Sequence, residues 1–373
     1  MNKVRFGIVG LGNIGRQHAD YLLAARVDRG ELAAVCSSSP GKLAAFQARG
    51  VKTFSRAEDM FRSGAIDAVI VATPHHQHPA QGIAAFESGL HLMMEKPLAA
   101  HKADAEKLVA AHRGKKLVFA AMFQMRAEPR YQKIRDLIQT GQLGRIVRFI
   151  WINTDWFRTH AYYASGGWRA TWRGEGGGVL LNQGLHNLDM LGWLCGAPQC
   201  LRAFCQMGRF HDIEVEDDVT AWLEWPGGAT GAFISSTGEA PGTNRLEIAG
   251  SLGRLVFENN KILLTRNAED MTVFSRTSKQ GFVKPESRTE EVPFAELATP
   301  HAALTQNFVD AILDGRPLLA PGEEGVLSVE LANAMVYSSL TGRTVDLPLD
   351  GAAWEKKLAE LAAQSDAAKP TAR

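Results

Sequence analysis

Residues 4–15 read VRFGIVGLGNIG, and the helical pattern RQHADYL follows at once. An apolar strand-like run thus ends in three glycines, Gly10, Gly12 and Gly15, and the glycines open a helix. That context turns a bare G-x-G-x-x-G into a dinucleotide-binding signature. Gly10 and Gly12 permit a tight turn and close backbone approach to a pyrophosphate, and Gly15 lets helix and strand pack. Asn13 and Ile14 stand at the helix start, where free N–H groups and the positive dipole end face phosphate.

Outward from this stretch, short apolar runs alternate with helical patterns. ELAAVC, AIDAVIVA, LHLMM and KLVFAAM read as further strands, with helix-like segments near 14–25, 41–49, 78–89 and 101–113. Strand, helix, strand at this spacing means βαβ units and a parallel sheet. The pattern changes near Gln124. After a helix near 129–140, the runs RIVRFIWINTD, DVTAWLEW, ATGAFISST, NRLEIAG and RLVFEN are β-branched or aromatic and are punctuated by turn residues. Helical patterns return at 301–314 and 323–340. The fold class is therefore α/β: an N-terminal Rossmann doubly wound parallel sheet over residues 1–125, then an α+β domain over 126–345 with a large open, mainly antiparallel sheet. Residues 346–373 read as an extension whose last ten or so residues have no core of their own.

The chain has 373 residues, too many for one ordinary core. Charged residues make up 22% and hydrophobic ones 45%, and 41 basic against 40 acidic side chains leave a net charge of +1. Such balance argues against a nucleic-acid surface or a polybasic membrane patch. No apolar run approaches the ~20 residues of a membrane helix, and the N-terminus enters a strand with no signal-like segment, so a cytoplasmic location is expected. The four cysteines, Cys36, Cys195, Cys200 and Cys205, make no disulfide framework and no usual zinc spacing.

In open α/β sheets, ligands sit at the carboxyl ends of the strands. The second strand ends VCSSSPGK, with Ser37 where an acid would hold the ribose of NAD. Without the acid, a 2′-phosphate is not repelled, and Ser37, Ser38 and Lys42 can contact it, so NAD and NADP both stay open. VATPHHQH offers Thr73 and Pro74 for cofactor packing and His75 and His78 as hydrogen-bonding partners near the nicotinamide ribose. With His76 these could suggest a metal, but three histidines on one loop rarely surround an ion, and none is expected. LHLMMEKPLA puts Glu95 and Lys96 at the same crevice edge, and Gln124 follows the last strand there. By position alone Lys96 is either a surface lysine or an ammonium tuned by burial.

A second constellation lies in EGGGVLLNQGLHNLD. Asn182 and His186 are four residues apart, which on a helix gives one face, and Asp189 continues the row as a partner for the imidazole. Gly176 to Gly178 would let the chain approach the cofactor before that helix. A satisfied core histidine is the alternative for His186. Upstream, WINTDWFRTHAYYASGGWRATWRGEGGG is dense in aromatic rings and cations. Trp156, Arg158, Tyr162, Tyr163, Trp168 and Arg169 are candidates for stacking on a ligand's C–H surface and donating to its hydroxyls. Arg126, in MFQMR, is a further candidate.

GLGNIG, ATPHHQH, MEKPLA and EGGGVLLNQGLHNLD, in this order, resemble the glucose–fructose oxidoreductase, inositol dehydrogenase and rhizopine-catabolism (Gfo/Idh/MocA) family, over about residues 3 to 345. The resemblance implies an NAD(P)-dependent oxidoreductase acting on a secondary alcohol of a sugar, glycoside or cyclitol. It implies Lys96 at the active site, His186 in proton transfer, and Asn182 where the family commonly has an acid. An amide orients a hydroxyl but accepts no proton, which shifts the burden to His186 and Lys96. It also implies a homodimer or homotetramer formed through the second-domain sheet. A glycosidase or lyase that uses bound NAD transiently is the alternative activity.

Overall fold

The computed structural model describes residues 2–368. Strands β1 (Val4–Val9), β2 (Gly30–Cys36), β3 (Lys52–Phe54), β4 (Ala68–Val71), β5 (His91–Met94) and β6 (Phe119–Ala121) alternate with helices α1 (Asn13–Leu23), α2 (Pro40–Gln47), α3 (Ala57–Phe61), α4 (His78–Glu87) and α5 (Lys102–His112). They build one sheet in the order β3-β2-β1-β4-β5-β6, parallel at every pairing. Helices cover both faces of such a sheet, so its strands lack alternation. Ala68, Val69, Ile70 and Val71 are accordingly all fully buried. Sequence pattern marks five of the six strands; β3 has three residues, too few to show a period.

The chain continues through α6 (Pro129–Gln139), β7 (Ile146–Asn153), α7 (His160–Ala164), α8 (Leu185–Cys195), β8 (Cys200–Met207), β9 (Glu216–Glu224), β10 (Thr230–Ser236), β11 (Asn244–Gly250), β12 (Gly253–Glu258), β13 (Lys261–Asn267), α9 (Met271–Thr277) and β14 (Ser287–Val292). It then forms α10 (Pro300–Asp314), α11 (Gly325–Thr341), β15 (Val345–Asp346) and α12 (Gly351–Ala368). The second sheet has nine strands in the order β14-β13-β12-β11-β7-β10-β9-β8-β15. All its pairings are antiparallel except β7 with β10. Its strands do alternate. Leu201 and Ala203 on β8, and Val219, Ala221 and Leu223 on β9, point into the core that α8 and α11 cover. Phe204 and Trp222 point away from it and are 62% and 42% exposed.

After β14 the chain crosses back. Helix α10 packs on α1 and β1, and the Ala121 amide donates to the Ala320 carbonyl at 3.0 Å. This return ties the two sheets together beside the carboxyl ends of β1, β4 and β5. The last residues are more ordered than their composition suggests. Helix α12 fully buries Trp354, and Ser365 is buried with its hydroxyl on Glu214. Residues 369–373, part of the stretch expected to have no core, lie outside the described residues. Among the described residues no helix is long and apolar enough to cross a membrane.

Candidate active site

A cavity of ≈ 890 Å³ opens between the two sheets. The first half of the chain lines it with Gly10, Gly12, Asn13, Ile14, Ser37, Ser38, Lys42, Thr73, Pro74, His75, Glu95, Lys96 and Gln124. The second half adds Tyr162, Trp168, Arg169, Asn182 and His186, and His301 comes from the start of α10.

At the β1–α1 turn, Gly10 has φ +93°, a left-handed conformation, and a Cβ there would stand 2.5 Å from the Ala72 carbonyl oxygen. A Cβ on Gly12 would meet nothing within 4 Å, so the turn is bare on its ligand side. A Cβ on Gly15 would fall 1.9 Å from the Gly10 carbonyl. Gly15 therefore serves packing beneath the turn and does not line the cavity. The free amides at the start of α1 complete a cradle that fits a dinucleotide pyrophosphate. At the end of β2 the wall consists of Cys36, Ser37, Ser38, Lys42, Ser55 and Ala57, with no carboxylate among these lining residues.

His78, a candidate cofactor contact, sits behind the wall. It is fully buried, with Nδ1 2.7 Å from the Pro97 carbonyl and Nε2 2.7 Å from the Thr73 carbonyl. The ring thereby clamps the β4 loop to the β5 loop. His75 does face the cavity; its ring stacks edge-on against Trp168 and Nδ1 lies 3.4 Å from the Glu175 carbonyl. Burial, then the charges of His78 and Lys96, hold its pKa well below the ordinary histidine value. The histidine loop of the first sheet is thus clipped to the segment that leads into Gly176.

Lys96 reaches across. Its Nζ donates to the backbone carbonyl of Asn182 at 3.0 Å. Burial lowers the Lys96 pKa, while Glu95 and Glu175 pull it back up. Glu95 is itself buried and accepts from His18 Nε2 at 2.7 Å; burial works against its charge, but the His18 contact holds the carboxyl below its ordinary value. His186 stands one turn beyond Asn182. Its Nε2 lies 3.3 Å from the Gln124 amide nitrogen, and its buried Nδ1 meets no partner among the described residues. Burial, then Lys96 and His301, push the imidazole well below its ordinary pKa. In a neutral ring with Gln124 donating to Nε2, the proton sits on Nδ1 and the single Nε2 lone pair is the one a substrate hydroxyl would reach in place of the Gln124 amide.

Four expectations change here. Asn182 and His186 do not share a helix face, because α8 begins at Leu185 and Asn182 belongs to the turns before it. Gly176 to Gly178 do not approach the cavity. A Cβ on Gly176 would sit 2.8 Å from the Ala100 Cβ, and one on Gly178 would sit 1.9 Å from the Glu216 carbonyl oxygen. These glycines let the turn lie flat on its neighbours. Asp189 does not orient His186, and Arg126 does not reach the cavity. The two form a buried bidentate pair, Nη2–Oδ1 at 2.5 Å and Nε–Oδ2 at 2.9 Å, with Glu324 on Nη1. A buried guanidinium and carboxylate must satisfy each other, and here they hold α8 against the end of the first domain.

Among the aromatic candidates, Tyr162, Trp168 and Arg169 line the cavity, and Trp156, Arg158 and Tyr163 do not. Trp156 is 41% exposed. Arg158 bridges the rings of Trp156 and Tyr162 at 5.3 and 5.0 Å. Tyr163 points its hydroxyl to Thr237, 2.7 Å away. Three N–H donors, from Arg169, Gln183 and Asn182, converge on the Tyr162 oxygen at 2.9, 3.1 and 3.3 Å. Two residues of the site stand outside any sequence pattern. Glu175, immediately before the glycines, is buried, and a lone acid in that position was its only signal. His301 had none, since α10 arrives from the far end of the chain.

Comparison with known proteins agrees with this architecture. Residues 4–123 match the model of an oxidoreductase family with an NAD-binding Rossmann fold, and residues 131–256 match the GFO/IDH/MocA C-terminal domain. The chain belongs to the Gfo/Idh/MocA family. It is thereby an NAD(P)-dependent oxidoreductase. It is 25% identical to a 1,5-anhydro-D-fructose reductase of Ensifer adhaerens, over 92% of this chain and 98% of that protein. It is 23% identical to a myo-inositol 2-dehydrogenase of Thermotoga maritima, again over 92% and 98%. The crystal structure of the WlbA dehydrogenase of Bordetella pertussis, in complex with NADH and UDP-GlcNAcA, is 29% identical and superposes with a TM-score of 0.78. That likeness covers 93% of this chain and 100% of that one.

Proposed function

We propose that the chain interconverts a secondary alcohol and a ketone on a sugar, glycoside or cyclitol, with His186 and Lys96 handling the hydroxyl proton. The observation that carries this reading is the Lys96–Asn182 contact at 3.0 Å, which brings an ammonium from the first sheet to the turn just before the helix that bears His186, inside one cavity. Gly10, Gly12, Asn13, Ile14 and the residues after β2 and β4 would hold the dinucleotide, and a bound nicotinamide supplies hydride-transfer chemistry. The protein's share is the proton. In oxidation the neutral His186 imidazole takes it at Nε2, while the Lys96 ammonium steadies the oxygen as negative charge gathers there. In reduction the same groups return it. Trp168 offers ring surface to the C–H face of a sugar, Arg169 offers donors to its hydroxyls, and the Asn182 Oδ1 offers an acceptor.

Both NAD and NADP suit the wall after β2, which has serines and a lysine and lacks an acid. The same reading makes residues 1–125 the cofactor-binding part, 126–345 the substrate-binding and oligomerisation part, and 346–373 an extension. A cytoplasmic location accords with four free cysteines. The test is a panel of free sugars, glycosides and inositols, each offered with NAD and with NADP, followed by the absorbance of the reduced nicotinamide. Turnover on at least one polyol is expected. A nucleotide that binds tightly while no polyol, and no corresponding ketone with reduced cofactor, turns over would end the reading.

A further inference from the structure

Glu175 is 2% exposed, yet it lies in an irregular loop on the rim of the cavity rather than in a strand or helix. Burial of a carboxylate is costly unless each oxygen is used. Both are. Oε2 accepts the Ala170 amide at 2.7 Å, and Oε1 accepts the Asn182 side-chain amide at 2.5 Å. The first bond fixes the carboxylate to its own loop, and the second fixes the residue whose main-chain carbonyl receives Lys96. Because Nδ2 must face the carboxylate, the amide of Asn182 has one orientation, with Oδ1 left for another donor. The Glu175 carbonyl also meets His75 at 3.4 Å, so the same residue touches the loop of the first sheet.

Charge balance points the same way. The groups that act on Lys96 are the carboxylates Glu95 and Glu175 and the cations Arg169 and Arg158. Lys96 in turn acts on the rings of His75, His186 and His301. Glu95 is already engaged by His18. Glu175 therefore adds its charge to that of Glu95 beside the lysine, although burial raises its own pKa.

We propose that Glu175 is the positioning residue of the proton-transfer centre: one carboxylate orients Asn182, and through that turn it places Lys96 and balances its ammonium. The pair Glu175–Asn182 acts as a unit of one acid and one amide. Asn182 needs no acidity of its own, because its acid partner stands 2.5 Å away. The inference rests on the proposed role of Lys96, but its first test does not depend on catalysis.

Lys96 is titrated directly in the full-length protein by competitive labelling with trace acetic anhydride over a pH series, with the acetylated peptide measured by mass spectrometry. Glu175→Gln removes one of the two carboxylates that favour the ammonium, so the midpoint of Lys96 labelling should fall by about one pH unit. The swapped double variant, Glu175→Gln with Asn182→Asp, restores one acid and one amide and should return the midpoint close to wild type. The swap also keeps the proposal decidable if Glu175→Gln does not fold. In steady-state assays on a polyol substrate, the alkaline limb of kcat should move to lower pH in Glu175→Gln and recover in the swap, with nucleotide Kd unchanged. An unshifted midpoint in folded Glu175→Gln, or a swap with a lowered midpoint, overturns the proposal. Shifted labelling with no change in the kcat profile would leave Glu175 coupled to Lys96 but overturn the catalytic role assigned to that lysine.

Discussion

His186 and Lys96 reach the cavity by different routes, and their environments give them different work. Both are deprived of water, and burial disfavours the charged form of each. For His186 nothing resolved offsets that penalty, so the ring rests neutral. For Lys96 two carboxylates offset part of it, so the ammonium survives beside the ring. His186→Ala should therefore lower kcat by roughly 10²- to 10⁴-fold, the usual share of general acid–base help. Lys96→Met should do the same, and nucleotide affinity, read by fluorescence titration, should hold in both. Near-normal turnover in either variant would remove that residue from the mechanism. Arg126 provides the contrast. It looked like a substrate contact in the sequence because it follows the last strand of the first domain, where ligands gather. Its real partner, Asp189, lies 63 residues away and could not be seen as such. Arg126→Met leaves a buried carboxylate uncompensated and should cost roughly 3–5 kcal/mol in chemical denaturation. A variant that kept full stability but bound polyol poorly would restore the substrate role.

At the scale of the element, the site depends on a turn that the sequence disguised as helix. Asn182 and His186 are four apart, and Leu181, Leu185 and Leu188 supply a helical stripe, so pattern alone extends α8 backwards. The segment before the helix is pinned instead by Glu216 at the start of β9. Its Oε1 accepts the Gly178 and Leu180 amides at 2.8 and 3.1 Å, and the Val179 amide bonds the Glu216 carbonyl at 2.9 Å. Those amides are spent on the strand, and the helix starts only after Gly184. Non-local bonds of this kind leave no periodicity to read. The clamp also has a pH signature. Glu216 is fully buried and its Oε2 has no partner among the described residues. Burial pushes its pKa from 4.5 up to about 7, opposed by the backbone bonds it accepts. A carboxyl raised on folding contributes stability in full below its unfolded pKa and loses it as pH climbs through the folded one. The thermal midpoint of the wild type should thus decline between about pH 4.5 and pH 7 more steeply than that of Glu216→Gln, which stays neutral while keeping an acceptor. Parallel profiles for the two proteins, by circular dichroism across that window, would mean that Glu216 is not the titrating group.

Across the whole molecule, the sequence is clearest where structure is regular. The parallel sheet was readable because both-side burial gives unbroken apolar runs, and the second sheet because one-side burial gives alternation. The return of α10 to the first sheet was not readable, since nothing local marks which layer a helix joins. The alternation leaves one question, which concerns the outer face of the nine-stranded sheet. Register places Phe204 beside Thr220, and Trp222 between Arg202 and Ala232, on that face. Ile150 and Ile152 of β7 continue it, and Leu263 of β13 extends it at 39% exposure. Arg148, Arg245 and Glu247 pair across the middle strands of the same face. An apolar and ion-paired sheet surface this broad is costly to leave in water, and a second copy offers the same surface by two-fold symmetry. The wild type should accordingly be a homodimer or homotetramer in sedimentation equilibrium. Phe204→Glu with Trp222→Glu places like charges face to face across such a contact and should yield monomers that keep the thermal midpoint of the isolated fold. A wild type that sediments as a monomer at tens of micromolar, or a double variant with unchanged mass, would mean that this face has another use.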